Sequence, residues 1–158
     1  MRMSNRVTYI LAGGQLSLSF LKEQLNRHSD RTIIAADRGL EACVSLGIEP
    51  DFVIGDFDSL DKTVREEFLS QEKNVTKLNP IKDDTDTEAA LTLAFEKTEG
   101  DIIILGGTGT RLDHVLGNIG ILGQGFAHGR SVELLDEHNR IRLADGPVTI
   151  KKREQYGK

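Results

Sequence analysis

The sequence has little of what staples a chain together or carries it through a membrane. Its 158 residues include one cysteine, Cys43. A single thiol excludes an intrachain disulfide framework and any cysteine-rich zinc site; Cys43 reads as a small buried apolar residue on a helix. No apolar run approaches the about 20 residues that a spanning helix needs. Nor is there a long signal-peptide core, since Met1-Arg2-Met3-Ser4-Asn5-Arg6 leads directly into a short strand-like run. A cytoplasmic protein with no membrane partner is the expectation. Positive charge is also in deficit: Lys and Arg number 20 against 25 Asp and Glu, a net charge of −5. A general nucleic-acid binder needs basic surface to neutralise phosphates, so none is expected here. Phosphorylated small molecules stay open, because a metal can supply the positive charge. Internal repeats and low-complexity tracts are absent.

What is present is an ordinary globular composition. The apolar set is 38%, with 16 glycines besides, which argues against wholesale disorder. The length suits one domain, or one domain plus a fragment of another. Short apolar runs alternate with helical patterns. Val7–Leu11, Thr32–Ala36, Phe52–Ile54, Asn74–Leu78 and Ile102–Leu105 read as strands. Helices are expected through Leu16–Leu25, Leu40–Leu46, Val64–Leu69, Ala89–Leu93 and Leu112–Leu122. Gly47 suits a helix stop. Thr85 with Glu88 three places on has the capping-box pattern. This rhythm indicates an α/β fold with a mainly parallel sheet.

After Gly129 the rhythm changes. Ser131–Leu135, Arg140–Ala144 and Val148–Lys152 read as three successive strands, separated by Glu137-His138-Asn139 and Asp145-Gly146-Pro147. The expected division is an α/β domain over residues 1–129 and, over 130–158, the incomplete opening of an all-β unit. Three short strands do not easily bury a core of their own, so their apolar residues are expected to need a partner.

Ligands of open parallel sheets bind beyond the carboxyl ends of the strands. Four strands end in glycine or carboxylate: Gly13-Gly14, Asp37-Arg38-Gly39, Gly55-Asp56-Phe57-Asp58-Ser59 and Gly106-Gly107-Thr108-Gly109. The loop Lys82-Asp83-Asp84-Thr85-Asp86 joins the same rim. Asp37, Asp56, Asp58, Asp83 and Asp86 are therefore expected around one crevice. Two carboxylates ~4 Å apart repel by ~1 kcal/mol in water and by several times more in protein. Shared protons or a cation must offset that. All-oxygen donors suit a hard ion such as Mg²⁺, which commonly binds carboxylates together with substrate phosphates. Helix capping competes for some of these residues: Asp58 or Ser59 for one helix, Asp84 or Thr85 for the next.

The Gly106–Gly109 turn can cradle phosphate with backbone N–H groups. It lacks the lysine of a P-loop, and the first βαβ unit lacks the full dinucleotide glycine pattern. Arg111, which follows, can grip phosphate bidentately. His114 suits either a phosphate contact or a solvated helix face, and Lys82 either a phosphate or the acidic field beside it. His28, His128 and His138 read as surface residues. No Ser-His-Asp or Cys-His arrangement stands out.

In this order and spacing, Ala36-Asp37-Arg38-Gly39, Gly55-Asp56-Phe57-Asp58-Ser59, Lys82-Asp83-Asp84-Thr85-Asp86 and Gly106-Gly107-Thr108-Gly109-Thr110-Arg111-Leu112-Asp113-His114 resemble thiamine pyrophosphokinases over nearly the whole chain. The resemblance implies transfer of the pyrophosphoryl group of ATP to the thiamine hydroxyl, giving thiamine diphosphate and AMP. It also implies an N-terminal α/β catalytic domain, a C-terminal β-sandwich and a homodimer. By resemblance, Asp56, Asp58 and Asp86 hold Mg²⁺ with Asp37 close by. Lys82, Gly107, Thr108, Arg111, Asp113 and His114 line the nucleotide and phosphate site, and Asp83 lies near the transferred group. Arg38 and Thr110 depart from the family, standing where glycine is common. The sandwich, which carries much of the thiamine surface, would continue past Lys158. Another Mg²⁺-dependent phosphotransferase or phosphohydrolase would use the same aspartates, and a nucleotide-binding module without turnover is the alternative of a different class.

Overall fold

A computed structural model describes residues 6–55, 62–63, 66, 76–78, 85–109 and 111–152. The strands are β1 (Val7–Leu11), β2 (Arg31–Ala36), β3 (Phe52–Ile54), β4 (Thr76–Leu78), β5 (Asp101–Leu105), β6 (Val132–Leu135) and β7 (Arg140–Ile141). The helices are α1 (Leu18–Arg27), α2 (Gly39–Leu46), α3 (Asp86–Lys97), α4 (Leu112–Ile121) and the short α5 (Gln124–Ala127). The strands form one sheet in the order β4-β3-β2-β1-β5-β6-β7. Every pairing is parallel except β6 with β7.

Burial on both faces explains why the strands read as nearly continuous apolar runs. Along β1, Tyr9 and Leu11 face one core while Ile10 faces the other. The first core gathers Phe20, Leu21 and Leu25 of α1 with Leu40 and Cys43 of α2. The second gathers Ala90, Leu91, Leu93 and Ala94 of α3 with Leu122. Local signals agree with these elements. Ser17 caps α1 by accepting from the Phe20 N–H. Thr85 caps α3 by accepting from the Glu88 N–H at 3.1 Å, as the capping pattern predicts. Gly47, with φ of 65°, ends α2.

The expected boundary at residue 130 is not where the architecture changes. Val132–Leu135 pairs with β5 in parallel register, Ile102 opposite Val132 and Leu105 opposite Leu135. It is the sixth strand of the α/β sheet, and Val132 and Leu134 are buried in the second core. The long-range parallel pairing decides the matter, and it leaves no local mark that separates it from a hairpin strand. Of the second expected strand only Arg140–Ile141 forms, antiparallel to β6. Val148–Lys152 pairs with nothing in the sheet. Leu143, Val148 and Ile150 are exposed, as are Leu112 and Leu116 of α4. No described helix is long and apolar enough to cross a membrane.

The chain winds outward from β1 through β2 and β3 to β4, then returns to lay β5 on the other side of β1. The carboxyl ends of β1 and β5 thus flank the point where strand order reverses. That is the crevice where open α/β sheets take ligands.

Candidate active site

The turn after β5 sits in that crevice and is held from several sides. The Gly14 N–H donates to the Gly106 carbonyl at 2.7 Å, and the Gln15 N–H to the Thr108 carbonyl at 3.2 Å. Asn118 on α4 donates from Nδ2 to the Gly107 carbonyl at 2.9 Å. Three successive carbonyls are therefore turned into the protein. Among the described residues, no protein acceptor meets the N–H groups of Gly107, Thr108 and Gly109. Successive N–H groups without an acceptor of their own are what anion-binding turns are made from. The shape of this turn depends on glycine at two kinds of position. Gly106 and Gly109 have φ of 73° and 74°, conformations that side chains resist. Gly14 lies so close to the Gly106 and Thr108 carbonyls that any Cβ would collide with both.

Two carboxylates stand on the adjoining part of the rim. Asp37, just past β2, has φ of 52°, a left-handed conformation that aspartate tolerates better than most residues. Its N–H donates to the Ile54 carbonyl at 3.0 Å, tying the turn to β3. Its carboxylate lies over Gly13, where an added Cβ would come within 2.8 Å of Oδ2. Asp86 opens α3, and its carboxylate lies over Gly55, 3.0 Å from where a Cβ would stand. That same point is 3.3 Å from the Asp37 N–H nitrogen. Bare glycines at the ends of β1 and β3 thus make room for the two half-buried acids. Their donors are all oxygen, and the soft ligand Cys43 is buried in the core with its thiol pushed up to about 12 by burial. The set suits a hard cation.

Asp56, Asp58, Lys82 and Asp83 lie outside the described residues, as does Thr110. Among the described residues, no group of three or more metal-ligating side chains converges. Arg111 is exposed, and its planar fork is occupied by Asp113, with Nε and Nη2 to the two carboxylate oxygens at 3.1 and 2.7 Å. Desolvation works to raise the Asp113 pKa, but the Arg111 charge and the His114 N–H lower it more, leaving it below the usual carboxylate value. Solvent-exposed ion pairs are weak, so Arg111 can exchange Asp113 for a phosphate at little cost. His114 is exposed on the first turn of α4. Arg38 turns outward to Glu41 at 3.5 Å.

Sequence reasoning missed Gln15, Asn118, Asp136 and Asn139, which hold the glycine turn or line the space beside it. Asp136 was legible in principle: it ends β6, just as the other acids end their strands. Assigning β6 to a separate β unit hid it. Partial burial acts to raise the Asp136 pKa, but hydrogen bonds from Thr108, Asn139 and His138 outweigh it and hold it below the usual value.

Fold and rim together define a doubly wound α/β domain with a glycine turn at the strand-order reversal and two acids beside it. A family model, thiamin pyrophosphokinase, catalytic domain, matches residues 23–134. The thiamine pyrophosphokinase of Bacillus subtilis is 33% identical over 147 residues, covering 92% of this chain and 68% of that relative. The chain belongs to the thiamin pyrophosphokinase catalytic-domain family. The crystal structure of the Bacillus subtilis enzyme superposes with a TM-score of 0.74 at 31% identity, covering 86% of this chain and 63% of that one. Yeast thiamin pyrophosphokinase shares the fold at a TM-score of 0.67 and 14% identity, over 89% of this chain and 62% of its own. The chain thus spans somewhat less than two thirds of these solved relatives.

Proposed function

We propose that this chain carries the catalytic α/β part of a thiamine diphosphokinase, which moves the pyrophosphoryl group of ATP to the thiamine hydroxyl and releases AMP. Family membership over residues 23–134 carries the reading. The rim supports it, because transfer of this kind asks a protein chiefly for positioning and for stabilisation of charge on phosphate oxygens. The Gly107–Gly109 N–H groups receive phosphate oxygens without having to reorganise. Arg111, released from Asp113, adds a fork that matches phosphate geometry. Lys82, Asp113 and His114 complete the nucleotide side.

The half-buried oxygens of Asp37 and Asp86 fit Mg²⁺, and Asp56, Asp58 and Asp86 are its proposed ligands, with Asp37 beside them. When bound, the ion would offset the charge of the ATP phosphates. The thiamine hydroxyl must lose its proton, and Asp83 or Asp86 is the proposed acceptor. A homodimer in the cytoplasm is the proposed working form. The exposed apolar residues Leu112, Leu116, Leu143, Val148 and Ile150 support a covered surface there.

The test is product analysis with ATP, thiamine and Mg²⁺, on this chain and on the longest natural form that contains it. AMP and thiamine diphosphate in equal amounts are expected from the longest form. ADP with thiamine monophosphate, or free phosphate alone, would replace the reading with another phosphotransferase or a phosphohydrolase.

A further inference from the structure

The glycine turn and the β6–β7 hairpin meet at one side chain. Asp136 Oδ2 accepts from Thr108 Oγ1 at 2.7 Å. Its Oδ1 accepts from the backbone N–H groups of His138 and Asn139 at 2.7 and 2.6 Å. Asn139 Nδ2 spans both oxygens at 3.0 Å each. One carboxylate therefore folds the hairpin loop around itself and reaches across to the turn. Thr108 is only 8% exposed, and its carbonyl is held by the Gln15 N–H on the opposite side. A cleft of about 720 Å³ opens between this hairpin, the turn and the start of α1, with Phe20 and Leu135 in its wall and Gln15 and Asn139 at its polar edge.

We infer that Asp136 is a positioning residue for the anion-binding turn: by tying Thr108 to the β6–β7 hairpin, it fixes the direction in which the Gly107–Gly109 N–H groups point. The inference rests on reading that turn as a phosphate site. Its physical basis is that N–H groups stabilise developing charge only if they are already aimed when the anion arrives. A turn containing two left-handed glycines has more conformations open to it than other segments do. Two backbone bonds and Asn118 fix its carbonyls, and the side chain of Thr108 is the remaining handle. An ionised acceptor gives the stronger class of hydrogen bond, so a carboxylate is a better anchor than an amide. Asp136 is thereby set apart from Asp37 and Asp86. Its oxygens accept from Thr108, His138 and Asn139 of the turn and the hairpin loop, whereas the other two stand beside Gly13 and Gly55.

The experiment compares Asp136→Ala, Asp136→Asn, Thr108→Val and the double variant Asp136→Ala with Thr108→Val. Amide hydrogen exchange of Gly14 and Gln15, whose N–H groups donate to the Gly106 and Thr108 carbonyls of the turn, needs no ligand. It is expected to quicken roughly tenfold in Asp136→Ala and in Thr108→Val, while the amides of β1 and β5 keep their protection. Affinity for Mg²⁺ with a non-hydrolysable ATP analogue should fall roughly tenfold in each, and the double variant should be no worse than the poorer single one, since both cut the same tie. Asp136→Asn keeps one acceptor oxygen and should recover part of both losses. Exchange and affinity unchanged in Asp136→Ala would overturn the inference. So would exchange that quickens equally throughout the sheet, because Asp136 would then serve stability alone. If the parent binds no nucleotide while exchange at Gly14 and Gln15 still responds to these variants, the tie stands and the phosphate reading of the turn fails.

Discussion

On either side of the glycine turn lie two apolar segments with different surroundings. Ile102, Ile104 and Leu105 of β5 are fully buried between the two helical layers. Leu112 and Leu116 of α4 are 72% and 59% exposed, and no residue of α4 is buried. β5 has β1 and β6 beside it and cores on both faces. α4 packs inward only through partly buried residues such as Ile119 and Ile121. Hydrophobic periodicity therefore reports which face of an element wants cover. It does not report whether the same stretch of chain supplies that cover.

Substitutions on the two sides should separate sharply. Ile104→Ala is expected to lower unfolding stability by about 3–4 kcal/mol, because it leaves a cavity in a core that relaxes little. Leu116→Ala should stay within about 0.5 kcal/mol in a dilute sample of this chain. Urea denaturation of both variants checks this. A comparable loss in Leu116→Ala would mean that α4 is already covered in solution, and concentration dependence of its midpoint would locate the cover in a second molecule.

The turn between the two segments is the next place to press. In Gly14→Ala the new methyl would collide with the Gly106 and Thr108 carbonyls, costing about 1–3 kcal/mol of stability and impairing nucleotide binding. Calorimetric titration beside a thermal melt reads both. Gly117→Ala, where an added Cβ meets nothing within 4 Å, is the control and should melt at or slightly above the parent temperature.

Much of this arrangement is legible in the sequence because its causes are local. Buried parallel strands must be short apolar runs, and β1, β2, β3 and β5 are each read within one residue of their observed bounds. Thr85 and Glu88 mark the start of α3 because capping chemistry involves only neighbours. Asp37 and Asp86 are placed on one rim because topology alone sends strand ends there. What escaped reading depends on distant partners. β6 is an α/β strand because β5 lies beside it, and nothing in Val132-Glu133-Leu134-Leu135 records that. Asp136 escaped with it. The occupied fork of Arg111 was hidden as well, since Asp113 two places on reads equally as a companion of the ligand or as the partner of Arg111.

Smaller effects sharpen the contrast between the acids on the rim. Asp86→Asn should weaken Mg²⁺-dependent nucleotide binding roughly 10- to 100-fold. Stability should fall by no more than about 1 kcal/mol, from the lost charge in the first turn of α3. Asp136 should behave differently, showing itself in acid. Its native pKa lies below its unfolded value, so it binds a proton less readily when folded. Its stabilisation is complete above the unfolded pKa of about 3.9 and is lost as pH falls through the lower native value. Stability of the parent should therefore drop more steeply below about pH 4 than that of Asp136→Asn. Parallel acid limbs in the two proteins would show that Asp136 has no such linkage.

The central claim is that an N–H-lined turn and neighbouring carboxylates form one metal-dependent nucleotide site. Isothermal titration of this chain with a non-hydrolysable ATP analogue, with and without Mg²⁺, tests it most directly. One-site binding that requires Mg²⁺ and is weakened in Asp86→Asn is the predicted result. Binding of equal strength without the metal, or untouched by Asp86→Asn, would contradict it.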